Sequence, residues 1–308
     1  MPWKELRQII TEYQRSDGPF GLATLVRSSG STYRRPGSRM LIVPGRPFIG
    51  RLSAGCIEEE ITDLAQAVIL YGKPARCSFD LRLRFACDGT IEVFIERLVK
   101  PNAFLEGLIG VLGNRMPVTV STNYRLADTV AGTRLIGGPF ADHAEEFIQR
   151  LQPPIRLIIF GDYSDAEAVA HLGGYLGWQV EVVIDAHELP TGDPRTACVV
   201  MSHHFGRDIV ALKQVLQGRY GYVGLLGPRH RKRLLLTRLI DEGCSLENIS
   251  ALHSPAGLDI GSETAEEIAM AIIAEIQATL TERNGGSLRD RLEPIHNLRE
   301  PICCDELQ

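Results

Sequence analysis

The sequence predicts an α/β protein in two parts, an N-terminal mixed α+β domain followed by a Rossmann-like doubly wound parallel-sheet domain. Three observations predict it. The 308 residues exceed the ~100–200 typical of one domain. Up to about residue 100, short β-prone runs separated by Gly, Pro and Ser lie between amphipathic helices. From Ile155 onward, apolar runs bounded by turns alternate with helical segments, as in a parallel sheet with crossover helices. The predicted boundaries are 1–125 for the first domain, 126–153 for a connection, 154–283 for the Rossmann-like domain and 284–308 for an irregular tail.

Trp3, Leu6, Ile9 and Ile10 fall at helical spacing, so Trp3–Arg15 reads as an amphipathic helix closed by Ser16-Asp17-Gly18-Pro19. Gly21–Arg27, Arg39–Val43 and Phe48–Leu52 read as strands. Ile57–Tyr71 is helical through Ile57, Ile61, Leu64, Ala65 and Val68, with Gly72 as its stop. Strands follow at Ala75–Leu81 and Thr90–Val99, where the alternation of Ile91, Val93 and Ile95 with Glu92 and Glu96 predicts one wet face. From Ala103 to about Gln152 the signal weakens to a short helix, a strand at Pro117–Ser121 and a helix near His143–Leu151. In the second domain, strands are predicted at Leu157–Phe160, Val180–Ile184, Cys198–Met201, Tyr222–Leu226 and Ile249–Leu252. Helices are predicted at Asp165–Leu176, Ile209–Leu216, Arg229–Asp241 and Ala265–Leu280.

Composition excludes several classes. With 44% hydrophobic and 23% charged residues, the chain is neither disordered nor collagen-like. A net charge of −5 gives no broad positive field for nucleic acid or anionic membranes. No stretch reaches the ~20 apolar residues of a membrane span, and MPWKELRQIITEYQR carries charges where a secretory signal needs an apolar core. The expectation is a cytoplasmic protein. Seven cysteines with no CxxC argue against a disulfide framework and a closed zinc site, leaving thiol chemistry as their functional use.

The densest polar cluster is Arg27-Ser28-Ser29-Gly30-Ser31-Thr32-Tyr33-Arg34-Arg35-Pro36-Gly37-Ser38-Arg39. Glycines that admit backbone N–H groups, with hydroxyls and guanidiniums around them, suit a phosphate or another oxyanion. A solvated hairpin loop whose arginines pair with Glu58, Glu59 and Glu60 accounts for the same composition. Cys56 stands at the entrance of a helix in Ser53-Ala54-Gly55-Cys56-Ile57-Glu58, where the helix dipole favours thiolate and three glutamates oppose it. Cys87 stands in a second glycine-bearing turn, Phe85-Ala86-Cys87-Asp88-Gly89. Structural cysteines more often lie inside apolar runs, as Cys198 does.

These segments resemble the XdhC/CoxI family of accessory proteins for molybdenum enzymes. The resemblance rests on Gly21–Gly37 and Ser53–Glu58, continues through Cys87–Glu96 and Gly221–Gly227, and ends in Ser254-Pro255-Ala256-Gly257-Leu258-Asp259-Ile260-Gly261. It implies a protein that binds molybdenum cofactor (molybdopterin), protects it during sulfuration and helps deliver it to a xanthine dehydrogenase-type or carbon monoxide dehydrogenase-type apoenzyme. The implied partners are that molybdoenzyme, a cysteine desulfurase and a second copy of the chain. The binding set would be Arg27, Ser28, Ser31, Thr32, Arg34, Arg35, Cys56, Glu58, Cys87 and His203: arginines and hydroxyls for the phosphate, thiolates for the soft metal–sulfur end. Where the family has Gly-Gly-Cys and Gly-Cys-Gly-Gly, this chain has Ala54-Gly55-Cys56 and Ala86-Cys87-Asp88-Gly89. The added Cβ atoms restrict both turns, and Asp88 brings a negative charge.

In the second domain, Ile159-Phe160-Gly161-Asp162-Tyr163-Ser164-Asp165-Ala166-Glu167 replaces GxGxxG. Tyr163 blocks close backbone approach, and Ser164 with Glu167 reads as a capping box occupying the helix N-terminus. Both features argue against NAD. Asp185 ends the second strand as a ribose-binding acid or a turn residue, and Asp185–Arg195 is too short for a crossover helix. Ser202-His203-His204-Phe205 follows a strand at the ligand-binding edge, where His203 is either a ligand contact or a strand-end histidine bonded to backbone. Arg229–Arg233 reads as a solvated or partner-facing surface. Two other readings remain open: a nucleotide-binding oxidoreductase or sensor, and a scaffold that kept the fold without the ligand. Cys56 and Cys87 are expected to face one cleft with Arg34 or Arg35 on its rim.

Overall fold

The computed structural model describes residues 3–30, 32–55, 57–82, 89–128, 130–137 and 145–292. Ser31, Cys56, Cys87, Asp88 and Cys303-Cys304 lie outside them. The chain divides into two compact units between Pro153 and Pro154.

The first unit is built on a five-stranded antiparallel sheet of order β3-β2-β1-β5-β4, formed by β1 (Phe20–Gly30), β2 (Arg39–Ile42), β3 (Ile49–Gly50), β4 (Ala75–Asp80) and β5 (Gly89–Leu98). Alternation sorts its side chains. Ala23, Leu25, Met40, Ile42, Ile91, Val93 and Ile95 meet Ile61, Ala65 and Val68 of helix α2 (Glu58–Tyr71), which stops at Gly72 in the left-handed conformation. Phe20, Leu22, Leu41 and Leu98 meet α1 (Trp3–Arg15) and α3 (Ala103–Asn114) on the opposite face.

The wet face predicted for β5 is covered. Glu96 is only 7% exposed and accepts hydrogen bonds from Thr133 N (3.0 Å) and Oγ1 (2.5 Å). Burial raises its pKa, opposed by these bonds and by the charge of Arg39. The cover is a three-stranded sheet, β7-β6-β8, from β6 (Val118–Asn123), β7 (Gly132–Ile136) and β8 (Glu146–Leu151). The helix predicted near His143–Leu151 is therefore β8, paired with β6 from Val118↔Leu151 to Asn123↔Glu146. Glu145 takes φ 66°, which ends any helix there. Residues 138–144 lie outside the described residues.

The second unit holds a parallel sheet of order β10-β9-β11-β12-β13, from β9 (Arg156–Phe160), β10 (Gln179–Val183), β11 (Thr196–Val200), β12 (Tyr222–Leu225) and β13 (Leu252–His253). Helices α4 (Ser164–Tyr175) and α8 (Ala265–Leu280) pack on Leu157, Ile159, Val199 and Tyr222. Helices α5 (Phe205–Gln217) and α6 (Arg229–Asp241) pack on Ile158, Phe160, Cys198 and Val200. This is the doubly wound arrangement predicted. The link after β10 contains only a 3-10 turn, Ala186–Glu188, whose His187 N–H is accepted by Asp185, so Asp185 acts here as a turn residue. The predicted strand Ile249–Leu252 is displaced: Ser245 caps a short helix α7 (Leu246–Ser250), which takes Ile249 and leaves only Leu252–His253 for the strand.

Candidate functional site

The polar cluster begins inside the sheet. Residues Arg27–Gly30 belong to β1 and pair with Gly89–Glu92 of β5, beyond a register shift between Leu25 and Arg27. On the side of β2, Leu25 N–H donates to Ser38 O (2.9 Å), and Leu25 O accepts from Gly37 N–H (2.7 Å). The loop is thus shorter than predicted, and its glycines act on backbone geometry. Gly37 has φ 91°, and a Cβ there would stand 2.2 Å from Gln149 Nε2.

Each predicted loop donor among the described residues has a defined place. Arg27 and Arg35 are exposed, and Ser28 and Thr32 are half-buried. Thr32 Oγ1 donates to Arg34 O at 2.9 Å. Arg34 does not pair with Glu58, Glu59 or Glu60. It donates Nη2 to Glu5 Oε1 of α1 at 2.6 Å and stacks against the exposed Tyr33 ring at 5.5 Å. Its Nε is buried without a hydrogen-bond partner.

Glu58 opens α2 and is 1% exposed. Its carboxylate accepts from Leu52 N (3.0 Å), Ser53 N (2.7 Å), Ser53 Oγ (2.6 Å) and Ile57 N (3.2 Å). Burial pushes its pKa up, yet the four hydrogen bonds outweigh burial and hold it below the usual value. All four acceptor positions are filled from within the chain, and the turn that leads through Gly55 (φ 115°) toward position 56 is buckled to the helix start.

Cys56 and Cys87 lie outside the described residues, but the described positions that flank them can be placed on the first sheet. Gly30 pairs with Gly89, and Leu81 N–H donates to Gly89 O, so Leu81 and Gly89 both stand where β1 ends. Helix α2 runs against β1. A Cβ on Gly21, near the start of β1, would lie 3.2 Å from Ala65 and 3.3 Å from Ile69, so the first turn of α2 lies toward the other end of the strand. Each cysteine-bearing motif is visible in the sequence, but the end of the sheet at which its flanking residues stand is not, because strand order and helix direction are long-range properties.

The described cysteines are buried or half-buried. Cys77 is pushed up to about 12 by burial and by Glu60 and Glu92, and the fully buried Cys198 is pushed up to about 12 by burial. Cys244 is also buried. Among the described residues no three His, Cys, Asp or Glu side chains cluster as metal ligands.

His203 belongs to the second unit, at the C-terminal ends of β9 and β11, where the strand order reverses and α/β sheets open their ligand crevice. It has φ 54°, a left-handed conformation uncommon outside glycine. Its ring meets Tyr163 edge-on at 5.4 Å, and Nε2 lies 3.5 Å from Asp165 Oδ2. These partners are side chains rather than neighbouring backbone. The capping box predicted for Ser164 and Glu167 does not form: Tyr163 occupies the N-cap and no side chain caps α4. Sequence reasoning misses Thr264 and Glu267, which form the capping box of α8. It also misses Asp208, fully buried on α5, which accepts from Ser202 Oγ and Arg231 Nη2 at 2.5 Å each. Arg231 is thereby withdrawn from the solvated surface predicted for it; a basic run opening a helix gives no sign of a buried acid beneath it.

Comparison with known proteins gives the same order of parts. A model of the XdhC and CoxI family matches residues 13–80, and a model of the XdhC Rossmann domain matches residues 157–276. A Bacillus subtilis protein named as a probable xanthine dehydrogenase subunit is 28% identical, over 84% of this chain and 92% of its own. The "Molybdenum cofactor insertion chaperone PaoD" of Escherichia coli is 25% identical, over 83% of this chain and 81% of its own. A crystal structure described as a xanthine dehydrogenase from Bacillus halodurans shares the fold with TM-score 0.73 and 23% identity, over 92% of this chain and 98% of that one. With both halves matched in sequence order, the chain belongs to the XdhC and CoxI family.

Proposed function

We propose that this chain is an accessory protein of molybdenum enzymes that binds molybdopterin, assists its sulfuration and passes it to a xanthine dehydrogenase-type or carbon monoxide dehydrogenase-type apoenzyme. The observation that carries this reading is that the end of β1, the flanking residues Leu81 and Gly89 and the start of α2 lie toward one end of the first sheet. The name of the Escherichia coli relative, an insertion chaperone for this cofactor, supports it. The partners on this reading are the molybdoenzyme, a cysteine desulfurase and a second copy of the chain, in the cytoplasm. No described helix is long and apolar enough to cross a membrane.

When bound, molybdopterin supplies a soft metal–sulfur centre at one end and a phosphate at the other. The donor set fits both ends. Arg34 retains a buried Nε with no hydrogen-bond partner, in a loop that also offers Ser31, Thr32 and Arg35, with Arg27 and Ser28 in the β1 end that leads into it. Cys56 and Cys87 would meet the soft end, since burial withholds the Cys77 and Cys198 thiols from ionisation. Glu58 would serve as a positioning residue that holds the Cys56 turn. His203 is a proposed contact for the cofactor on the second unit.

Purification from a host that makes molybdopterin, followed by oxidation of the bound pterin to its fluorescent form, tests the proposal. Wild-type protein is expected to carry the cofactor, and Cys56→Ala or Cys87→Ala to lose at least tenfold of it with unchanged circular dichroism. Wild-type protein free of pterin and unable to take it up would overturn the reading in favour of a scaffold.

A further inference from the structure

We propose that the groove between α1 and β3 is a binding site for a diphosphate group, distinct from the β1–β2 loop assigned to the cofactor. The groove encloses about 570 Å³. One wall is the outer face of α1, where Arg7, Thr11 and Arg15 recur at every fourth position and so stand in line along the helix. The facing wall is β3 with Gly50 and the following Arg51. Gly50 has φ 88°, and a Cβ there would stand 2.3 Å from Arg39 O, so only glycine suits that position.

Charge selects the ligand. The two carboxylates on the groove are held chiefly by arginines outside its lining, Glu5 by Arg34 at 2.6 Å and Glu12 by Arg46, with a weaker attraction from Arg15. Arg15 and Arg51, from opposite walls, make no ion pair among the described residues. Two guanidiniums facing one groove repel each other unless an anion lies between them, and their planar donor forks match phosphate oxygens. Gln8 and Thr11 add neutral hydrogen-bonding groups. Arg7 is partly withdrawn from water, which lowers its pKa through burial, and an anion beside it would offset that burial.

The ligand is extended. At 1.5 Å rise per residue, the backbone positions of Arg7 and Arg15 are about 12 Å apart, more than one tetrahedral phosphate spans. A diphosphate, with oxygens on two linked phosphorus atoms, reaches more of the line than a single phosphate.

Calorimetric titration of the full chain with inorganic pyrophosphate and with orthophosphate at low ionic strength tests the site. Pyrophosphate is expected to bind at least tenfold more tightly than orthophosphate. Arg15→Glu combined with Arg51→Glu is expected to weaken pyrophosphate at least thirtyfold, whereas Arg233→Glu in the second unit leaves it unchanged. Should the double reversal disturb folding, Arg15→Gln with Arg51→Gln is expected to weaken binding at least tenfold. Failure of wild-type protein to bind pyrophosphate, or wild-type affinity in the double variants, would overturn the proposal. Pterin content of the same variants separates the two readings: pyrophosphate lost with molybdopterin retained supports the groove and leaves the cofactor site standing.

Discussion

Replacing Glu58 by glutamine removes one oxygen and one charge from a site that is 1% exposed and carries four donors. The remaining carbonyl can keep the Leu52 and Ser53 N–H groups. The new amide nitrogen then faces Ser53 Oγ, which can turn to accept, and Ile57 N–H, which cannot. One buried donor is left facing another donor, a cost of about 1–3 kcal/mol. The surviving bonds also lose their charge assistance, so the total loss is about 2–4 kcal/mol. The chain has two tryptophans. Trp3 lies in the first unit, its Nε1 donating to Gln152 O at 2.7 Å, and Trp178 lies in the second. In a Trp178→Phe background, urea unfolding followed by Trp3 fluorescence therefore reports on the first unit. Because the folded pKa of Glu58 is depressed, its contribution is complete above the unfolded value and is lost as pH falls through the folded one. Glu58→Gln is thus expected to lower the urea midpoint at neutral pH and to flatten its fall below about pH 4.5. A variant within about 0.5 kcal/mol of wild type would refute the buckle, as that is the range of neutral surface changes.

The same sign applies to Glu275 on α8. Burial raises its pKa, but hydrogen bonds from His253 Nδ1 (3.2 Å), Tyr222 Oη (2.6 Å) and Gly257 N (2.8 Å) prevail and depress it. The second unit should lose this stability as pH falls through the depressed value, and Glu275→Gln should remove that part of the acid dependence of Trp178-monitored unfolding. Thiol reactivity provides another check. In native protein at pH 8, iodoacetamide should label Cys56 and Cys87 at least tenfold faster than Cys77 and Cys198, with peptide mass spectrometry reading each position. Equal rates would contradict the assignment of the buried thiols as inert.

The sequence is most readable where one local pattern has one solution. The 3.6-residue stripe of Leu6, Ile9 and Ile10 specifies α1, and the turn-bounded apolar runs specify the parallel sheet. It is least readable where a distant segment decides the outcome. Nothing local to Glu96 says that Thr133 will cover it. Residues 146–151 contain Phe147, Ile148 and Leu151, compatible with either a helix or a strand, and pairing with β6 selects the strand. The chemistry-bearing segments are legible as residue types, whereas the attachment of Arg34 to Glu5 and the enclosure of Glu58 depend on contacts that periodicity cannot display.

Gln149 sets an order on the assembly of the β1–β2 loop. Its Oε1 accepts from the fully buried Arg39 Nη1 at 2.7 Å, across 110 residues of chain, and its amide packs over Gly37. During synthesis, β1, β2 and the loop between them emerge early, but Arg39 lacks this acceptor until β8 has emerged and paired with β6. Until then a guanidinium meant for the interior has the Gly37 carbonyl but not the Gln149 amide as a hydrogen-bond acceptor, and closing it away from water is correspondingly costly. A nascent or truncated chain ending before residue 146 would therefore leave this loop open, so completion of the small sheet precedes formation of a finished loop.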